Sequence, residues 1–194
     1  MLEALRPQIV LASASPRRKE LLMQIGIRCL VQVSDIDETP HEGEESEDFV
    51  KRMALEKAQA VTHDSLPVLA ADTVVVKDGL IMGKPRNQND AVEMLQRLQG
   101  GQHEVLTAVA VSWQGSARCE LNQNKVWFKS LSLEQSEAYW RTGEPQDKAG
   151  GYAIQGLGAT FIERLEGSYS GVMGLPLFET ARLLEQVGID PLKN

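Results

Sequence analysis

Hydrophobic and polar positions along this chain follow two periods, one typical of buried strands and one typical of amphipathic helices. Short apolar runs predict strands at 9–12, 30–33, 68–71, 74–76, 80–82, 105–112, 124–129 and 161–165. Apolar residues spaced by three or four positions predict helices over about 16–25, 46–61, 89–98, 132–142 and 176–187. Because strands and helices alternate irregularly, the pattern predicts an α/β fold with a mixed sheet.

Turn and capping residues define several of these boundaries. Ser15 followed by Pro16 is a typical helix start, and Ser46 and Asn89 are expected to cap the second and third helices. The fourth helix is expected to begin with a capping box formed by Ser132 and the glutamine three residues later. The Asp-Gly pair after the strand at 74–76 predicts a tight hairpin turn.

The composition is ordinary for a globular protein and argues against several classes of function. Hydrophobic residues make up 42% of the chain and charged residues 24%. The longest apolar runs are far shorter than the ~20 residues that span a membrane, and the first residues lack the apolar region of a secretory signal. A formal net charge of −7 argues against binding to nucleic-acid backbones, where a basic face is expected. We therefore expect neither a membrane nor a nucleic-acid partner.

Cysteine usage and length suggest a compartment and a domain organisation. Cys29 and Cys119 are far apart in the sequence, which favours free thiols and a cytoplasmic location. Without an internal repeat or a Pro/Ser-rich linker, residues 1–194 are expected to form a single domain. A homodimer is compatible with an enzyme of this size.

A phosphate-binding hypothesis arises at 13–18, Ser-Ala-Ser-Pro-Arg-Arg, between the first predicted strand and helix. Small residues at a helix N-terminus let phosphate oxygens approach backbone N–H groups. Arg17 and Arg18 would add charge and bidentate hydrogen bonds. From the local pattern alone, a plain capped helix with a solvated arginine pair is the favoured alternative.

Four acidic residues are candidates for binding a divalent cation or for activating water. Asp35, Asp37 and Glu38 follow the second predicted strand, and Mg²⁺ or Mn²⁺ prefers such oxygen ligands. For any one of these three, a solvated turn is the favoured interpretation. Asp72 differs because it interrupts an apolar stretch, so we expect it at a strand end or bend near the core. A carboxylate there needs a partner.

Further candidates are basic side chains and a glycine-rich segment. Four basic residues have the charge to meet a triphosphate, although each alone is more often a surface residue: Lys57, Lys84, Arg86 and Lys148. Residues 150–158 are too rich in glycine for a regular element. They predict either a tight loop at which the backbone approaches a ligand or a structural turn. Gln155 in this segment carries an amide suited to the edge of a nucleobase.

Several familiar sites are excluded by the sequence. It contains neither a G-x-x-x-x-G-K-[ST] phosphate loop nor a G-x-G-x-x-G fingerprint. Residues 167–171 have the glycine frame of a nucleophile elbow, but Tyr169 stands where the nucleophile belongs. The histidines and cysteines lack the spacing of zinc ligands.

Taken together, these segments resemble the Maf family of nucleotide pyrophosphatases. The resemblance covers about residues 9–187 and is carried by eight short segments in the same order. These are 13–18 with the two leucines at 21–22, 35–38, 56–58, 71–73, 83–85, 147–150, 154–156 and 174–176. Any one of them is a weak signal, but eight in order are specific.

The resemblance implies a two-lobed α/β fold of the inosine-triphosphatase-like kind, with the active site in a cleft between the lobes. It implies hydrolysis between the α and β phosphates of a nucleoside triphosphate with Mg²⁺ or Mn²⁺. Asp72 is implied as the general base and a metal ligand. Asp37 best matches the second metal ligand, with Asp35 and Glu38 as alternatives. Phosphate binding is assigned to four residues: Ser13, Arg18, Lys57 and Lys84.

Base selectivity is implied for Arg17, Thr73 and Gln155. In the Maf family this combination marks the branch that acts on dTTP and UTP. A branch that prefers 7-methyl-GTP has bulkier or acidic residues at the last two positions. The expected activity is therefore pyrophosphate release from dTTP and UTP, or from modified pyrimidine nucleotides. A nucleotide-sensing regulator of cell division, with slow hydrolysis, is the rival hypothesis.

Overall fold

The structure is a computed structural model that describes residues 6–193. The strands in that range are β1 (Ile9–Leu11), β2 (Cys29–Val31), β3 (Val68–Lys77), β4 (Leu80–Met82), β5 (Gln102–Trp113), β6 (Ser116–Phe128) and β7 (Ile162–Glu166). The helices are α1 (Pro16–Gln24), α2 (Ser46–Ala60), α3 (Gln88–Leu98), α4 (Leu133–Arg141), α5 (Tyr169–Met173) and α6 (Leu177–Glu185). Short 3₁₀ turns lie at Glu144–Asp147, Ala149–Gly151 and Leu157–Phe161.

The strands form one mixed sheet in the order β2-β1-β3-β5-β6-β7, with β4 pairing with β3. β2 and β3 run parallel to β1, whereas β4 is antiparallel to β3 and β7 is antiparallel to β6. The predicted α/β class with a mixed sheet is therefore confirmed. Within residues 6–193, no helix is long and apolar enough to cross a membrane.

The described chain divides into two compact units. The first contains the residues up to Asp72, the segment Thr107–Asn122 and the residues from Gly174 onward. The second contains Thr73–Leu106 and Gln123–Met173. The long strands β3, β5 and β6 each contribute residues to both units, so the chain passes between them several times.

The first unit is built around the parallel pairing of β1, which is fully buried, with the buried start of β3. Leu11 in β1 pairs with Leu69 in β3, and both side chains are inaccessible to solvent. α1 buries Leu21 and Leu22, as their spacing predicts, and α2 buries Met53. Each such side chain contributes about 1.5–3 kcal/mol by leaving water, which is why these elements form where the apolar pattern places them.

The second unit has an aromatic core. Phe128 of β6 meets Tyr152 edge to face, with ring centroids 4.7 Å apart. Tyr139 of α4 meets Phe161 in the same way at 4.9 Å. Such pairs contribute about 0.5–1.5 kcal/mol beyond the burial of their area. They join α4 and the irregular segment around Tyr152 to the sheet.

Two strand predictions are wrong in an informative way. The sequence predicts a break at Asp72, whereas β3 is one continuous strand of ten residues that contains it. β5 and β6 are longer than predicted and are linked by Gln114 and Gly115, whose φ angles are +50° and +78°. Gln-Gly lacks the Asn-Gly or Asp-Gly signal that identifies most hairpin turns of this kind.

The helix starts are partly confirmed. Ser15 is the N-cap of α1, and α4 has the predicted capping box at Ser132. By contrast, Ser46 is the first helical residue of α2 rather than its cap. Asn87, not Asn89, caps α3 by accepting a hydrogen bond from a backbone N–H. The five-residue helix α5 has no counterpart among the predicted elements.

Gly150 provides a test of the packing in the second unit. Its φ is +68°, and a Cβ there would lie 2.8 Å from Val75 Cγ2. We expect Gly150→Ala to lower the free energy of unfolding by about 2–4 kcal/mol, because overpacking adds to left-handed strain. Gly115→Ala is the matched control: φ is +78°, and no described atom lies within 4 Å of the Cβ position. Equal losses in urea unfolding would contradict the packing explanation.

Candidate active site

Parallel pairing brings three chemically distinctive segments to one edge of the sheet in the first unit. Leu11 of β1 pairs with Val31 of β2 on one side and with Leu69 of β3 on the other. A few residues after these paired positions, toward the C-terminal end of each strand, the chain reaches three segments. They are the loop that starts at Ser13, the acidic segment after β2, and Asp72 of β3. The carboxyl ends of parallel strands are the usual place for ligands in open α/β sheets.

A buried ion pair joins Asp72 to Lys57. Lys57 lies in the last turn of α2, and both residues are only 8% exposed. Lys57 Nζ donates a hydrogen bond to Asp72 Oδ1 at 2.7 Å. The same Nζ lies 2.9 Å from Glu38 Oε1, so one ammonium group holds two carboxylates. Without this lysine, the two carboxylates would repel each other.

The position of Asp72 confirms one expectation and corrects another. Asp72 is buried and paired, as an acid inside an apolar stretch must be. However, it lies within β3 rather than at a strand end or bend. The strand continues through Asp72 because Lys57 supplies the compensating charge. The carboxylate therefore does not have to reach water, and the backbone stays extended.

The loop between β1 and α1 is held by its own side chains. Ser13 Oγ accepts hydrogen bonds from the Ser15 backbone N–H at 3.2 Å and from Arg18 Nη1 at 3.0 Å. Arg18 Nε donates to the Gly174 carbonyl oxygen at 2.8 Å. Gly174 has a φ of +112°, a conformation that favours glycine. Arg18 therefore orients this loop and ties it to the segment before α6.

The loop and the buried ion pair share one electrostatic environment. Burial lowers the pKa of the Arg18 guanidinium, the charge of Asp72 raises it, Arg17 lowers it, and Glu38 raises it, so that the pKa lies below its ordinary value. Arg18 remains protonated at neutral pH, as guanidinium groups in proteins do. Arg18 therefore lies close enough to Arg17, Asp72 and Glu38 for their charges to act on it, and basic groups grouped in this way suit a polyphosphate.

The acid that shares Lys57 with Asp72 is Glu38 rather than Asp37. Asp37 is exposed, and its Oδ1 accepts a hydrogen bond from the Thr39 backbone N–H at 2.9 Å. Hydrogen bonds from the side chain and backbone of Thr39 hold the pKa of Asp37 below its usual value. The assignment of Asp37 to a metal stays a prediction, with Asp35 and Glu38 as the alternatives.

Arg52 fastens the acidic segment to α2, a role that the sequence pattern does not reveal. Its Nε and Nη2 donate to the two oxygens of Glu44 at 2.6 and 2.7 Å. Nη2 also donates to the Thr39 carbonyl oxygen at 3.1 Å. Bidentate pairing of this kind is among the stronger polar contacts in proteins. Because Thr39 adjoins Glu38, this anchor helps to position the carboxylate that meets Lys57.

Three of the predicted residues lie in the second unit. Thr73 is half-buried in β3, Lys84 is exposed between β4 and α3, and Gln155 is exposed in a turn. Within this unit the Gly150 N–H donates to the Gly83 carbonyl oxygen at 3.0 Å, which links the Lys84 segment to the glycine-rich segment. The roles of Thr73, Lys84 and Gln155 toward a substrate stay predictions.

The glycine-rich segment supports the structural-turn alternative. A Cβ added to Gly156 would lie 2.2 Å from Glu144 Oε2, and one added to Gly158 would lie 2.7 Å from Tyr139 Oη. The close approach that requires glycine is therefore to other atoms of the protein, which at Gly158 include the Ala153 carbonyl oxygen, also 2.7 Å from the Cβ position. No sequence signal connects Glu144 to this segment, because it lies more than ten residues upstream and outside any regular helix.

Two further basic candidates have structural partners in the second unit. The Arg86 backbone N–H and Nε donate to Asp90 Oδ2 at 2.9 and 3.0 Å, which fastens the start of α3. Lys148 pairs with Asp147. In the part of the chain that the structure describes, no three or more His, Cys, Asp or Glu side chains are grouped to hold a metal ion. The oxygen donors beside Lys57 are those of Asp72 and Glu38.

Known proteins similar to this chain cover nearly its whole length. Residues 8–187 match the family model described as Maf-like protein. A protein of Alkalilimnicola ehrlichii named dTTP/UTP pyrophosphatase is 52% identical over 193 residues, which cover 95% of each chain. A protein of Methylobacillus flagellatus with the same name is 52% identical over 186 residues, covering 94% of each chain.

A third relative and one solved structure complete these findings. A Neisseria gonorrhoeae protein, also named dTTP/UTP pyrophosphatase, is 46% identical over 192 residues, covering 94% of this chain and 95% of its own. The solved Ham1 protein of Staphylococcus aureus aligns with 61% of this chain and 69% of its own, at 16% identity and a TM-score of 0.40. A score of this size does not establish a shared fold.

Removing Lys57 tests the buried ion pair. We expect Lys57→Met to lower the free energy of unfolding by about 3 kcal/mol, because it leaves the buried Asp72 carboxylate unpaired. Adding Asp72→Asn should restore part of the loss. Lys51→Met is the control, because Lys51 forms an exposed pair with Glu47 that is worth at most about 0.5 kcal/mol. Similar effects of the two lysine variants in urea unfolding would refute the buried-pair interpretation.

The Arg52–Glu44 anchor predicts a dependence of stability on pH. The hydrogen bond with Arg52 lowers the pKa of Glu44 from 4.5 to about 2. Because the pKa is depressed in the folded state, the stabilisation is complete above about pH 4.5 and declines as the pH falls toward about 2. The stability difference between wild type and Glu44→Gln should shrink over that range. It should shrink much less in an Arg52→Leu background; an identical pH dependence in both backgrounds would contradict the assignment.

Proposed function

This chain belongs to the family of Maf-like proteins, and we propose that it is a nucleoside triphosphate pyrophosphatase that acts on dTTP and UTP. The products are the nucleoside monophosphate and pyrophosphate. The observation that carries the chemistry is the buried Asp72–Lys57 pair, which lies in the same electrostatic environment as the Ser13–Arg18 loop. Relatives that bear this enzyme name and share about half of the sequence support the substrate assignment.

The residues of the first unit have two roles, which are phosphate binding and proton transfer. Ser13, Arg18 and Lys57, with the N-terminus of α1, bind the phosphates. Lys57 holds Asp72 Oδ1, and we assign the second oxygen, Oδ2, to orient a water molecule and accept its proton. The water oxygen forms a bond to the α phosphorus while the bond from that phosphorus to the bridging oxygen breaks. Pyrophosphate leaves with the bridging oxygen.

The carboxylates of the site fit a divalent cation. Mg²⁺ typically takes one or two protein carboxylates and completes its shell with phosphate oxygens and water. Asp72 would provide one ligand and an acid of the 35–38 segment the other. Asp37 is the predicted second ligand, and Glu38 is the acid that shares Lys57 with Asp72. When bound, Mg²⁺ or Mn²⁺ offsets the charge of the phosphates.

Base selectivity is assigned to Arg17, Thr73 and Gln155. A small hydroxyl and a neutral amide can meet the donors and acceptors of uracil or thymine without an unpaired charge. Lys84 is assigned to the phosphates. The cleft between two lobes, the cytoplasmic location, the homodimer and the action on modified pyrimidine nucleotides stay predictions.

The substrate assignment is tested by measuring pyrophosphate release from dTTP, UTP, CTP, ATP, GTP and 7-methyl-GTP, each with Mg²⁺, with Mn²⁺ and with a chelator. We expect metal-dependent release that is fastest with dTTP and UTP. A preference for 7-methyl-GTP would leave the chemistry intact and overturn the roles of Thr73 and Gln155. Tight binding without any release would favour the nucleotide-sensing regulator.

Asp72→Asn tests the proton acceptor directly. We expect kcat to fall by about 10²–10⁴-fold while the chain still folds, because the amide can neither accept the proton nor bind the cation as a carboxylate does. Asp78→Asn is the matched control, since Asp78 lies in the exposed turn just after the same strand and should leave kcat unchanged. A folded Asp72→Asn protein with near wild-type turnover would remove Asp72 from the mechanism.

A further inference from the structure

The turn that carries Gln155 is fastened where it begins. It covers residues 153–156 and is closed by a hydrogen bond from the Gly156 N–H to the Ala153 carbonyl oxygen at 3.3 Å. The Ala153 N–H in turn donates to Tyr139 Oη at 3.1 Å. Tyr139 is itself buried in the aromatic core, with its ring against Phe161. The start of the turn is therefore tied to the aromatic core of the second unit.

The far side of the turn is fastened by Glu144. The backbone N–H groups of Leu157 and Gly158 donate to its two carboxylate oxygens at 2.9 and 3.0 Å. Tyr139 Oη donates to Glu144 Oε1 at 2.5 Å, so the two anchors form one network. Burial by itself would raise the pKa of Glu144, but the hydrogen bonds from Tyr139, Gly158 and Leu157 hold it below its usual value.

Two glycines let the carboxylate approach this closely. A Cβ at Gly156 would lie 2.2 Å from Glu144 Oε2, and a Cβ at Gly158 would lie 2.7 Å from Tyr139 Oη. A Cβ at Gly158 would also lie 2.7 Å from the Ala153 carbonyl oxygen, so a side chain there would displace the backbone of the turn, whereas one at Gly156 would push the Glu144 carboxylate away. The glycines at 156 and 158 thus have a specific function, which is to seat the backbone on the Tyr139–Glu144 pair.

The anchored turn exposes one polar side chain. Ala153 and Ile154 are buried, at 4% and 8% exposure, whereas Gln155 is exposed. Fixing the backbone on both sides of Gln155 limits the positions that its amide can reach. A hydrogen-bonding group discriminates between bases only when its position is fixed, because a mobile amide adapts to either.

We infer that Tyr139 and Glu144 are positioning residues for base selection, which hold the turn so that Gln155 presents its amide to the pyrimidine in one orientation. This role rests on the proposed function, since Gln155 meets a base only if the substrate is a nucleotide. Neither residue touches the substrate; each acts through the backbone of residues 153–158.

The test compares Tyr139→Phe and Glu144→Gln with two controls, Tyr169→Phe in the exposed start of α5 and Glu134→Gln on the exposed face of α4. We measure kcat and KM for dTTP, UTP and CTP. Tyr139→Phe removes the two anchoring hydrogen bonds of the Tyr139 hydroxyl, and Glu144→Gln removes at least one acceptor. Each change is expected to reduce kcat/KM for dTTP by about three- to tenfold, mostly through KM. The preference for dTTP over CTP should fall toward that of Gln155→Ala. The controls should match the wild type.

A double variant separates positioning from general weakening of the fold. Tyr139→Phe combined with Gln155→Ala should discriminate between dTTP and CTP no less than Gln155→Ala alone, because both changes act on one contact. Amide hydrogen exchange at residues 153–158 should be faster in Tyr139→Phe and unchanged in Tyr169→Phe. Faster exchange with the base preference of the wild type would overturn the positioning role.

The two hypotheses fail in different ways. A wild-type protein that releases no pyrophosphate from dTTP or UTP would overturn the proposed function, and the positioning role with it. An active wild type whose Tyr139→Phe and Glu144→Gln variants keep the full preference for dTTP would overturn the positioning role alone.

Discussion

The burial of a charged carboxylate in the middle of β3 is the constraint on which the candidate site depends. An acid that is 8% exposed within an apolar strand is strongly destabilising unless a cation meets it. Lys57 meets Asp72 from the last turn of α2, which fixes that turn beside the strand. The same ammonium binds Glu38, and Arg52 fastens the backbone next to Glu38. The lysine that the buried Asp72 requires thus also holds the acidic segment in place, together with Arg52.

The glycines of this chain illustrate how fold and function share the same residues. Gly150 is packed on Val75, and Gly156 leaves room for Glu144, so in both cases glycine serves the protein's own packing. A glycine-rich segment is therefore ambiguous when seen in a sequence alone. Here its glycines seat the backbone against Glu144 and Tyr139, and in the positioning role that we propose this support fixes Gln155.

Much of the fold could be predicted from the sequence because its strongest signals are local. The start of α1 at Ser15 and Pro16 and the capping box of α4 depend on neighbouring residues and are confirmed. The mixed α/β class and the family also agree with the prediction. The break predicted at Asp72 is wrong because a distant lysine compensates its charge. The hairpin at Gln114 was missed because its turn residues are atypical.

The residues of the site could be predicted from the sequence, whereas the contacts between them could not. Asp72 and Lys57 could be singled out, but their pairing depends on how α2 packs beside β3. The roles of Glu144 and Arg52 could not be found, because the partners that matter here, the backbone at 157–158 and Glu44, lie outside the helix to which each residue belongs. Long-range hydrogen bonds of this kind leave no periodic trace in a sequence.

Hydrolysis of dTTP in water enriched in oxygen-18, followed by mass analysis of both products, tests the central chemical claim most directly. Attack at the α phosphorus by water that Asp72 activates predicts one heavy oxygen in the nucleoside monophosphate and none in pyrophosphate. A heavy oxygen in pyrophosphate would contradict it, since the water would then have attacked the β phosphorus. Release of inorganic phosphate with dTDP would contradict it as well.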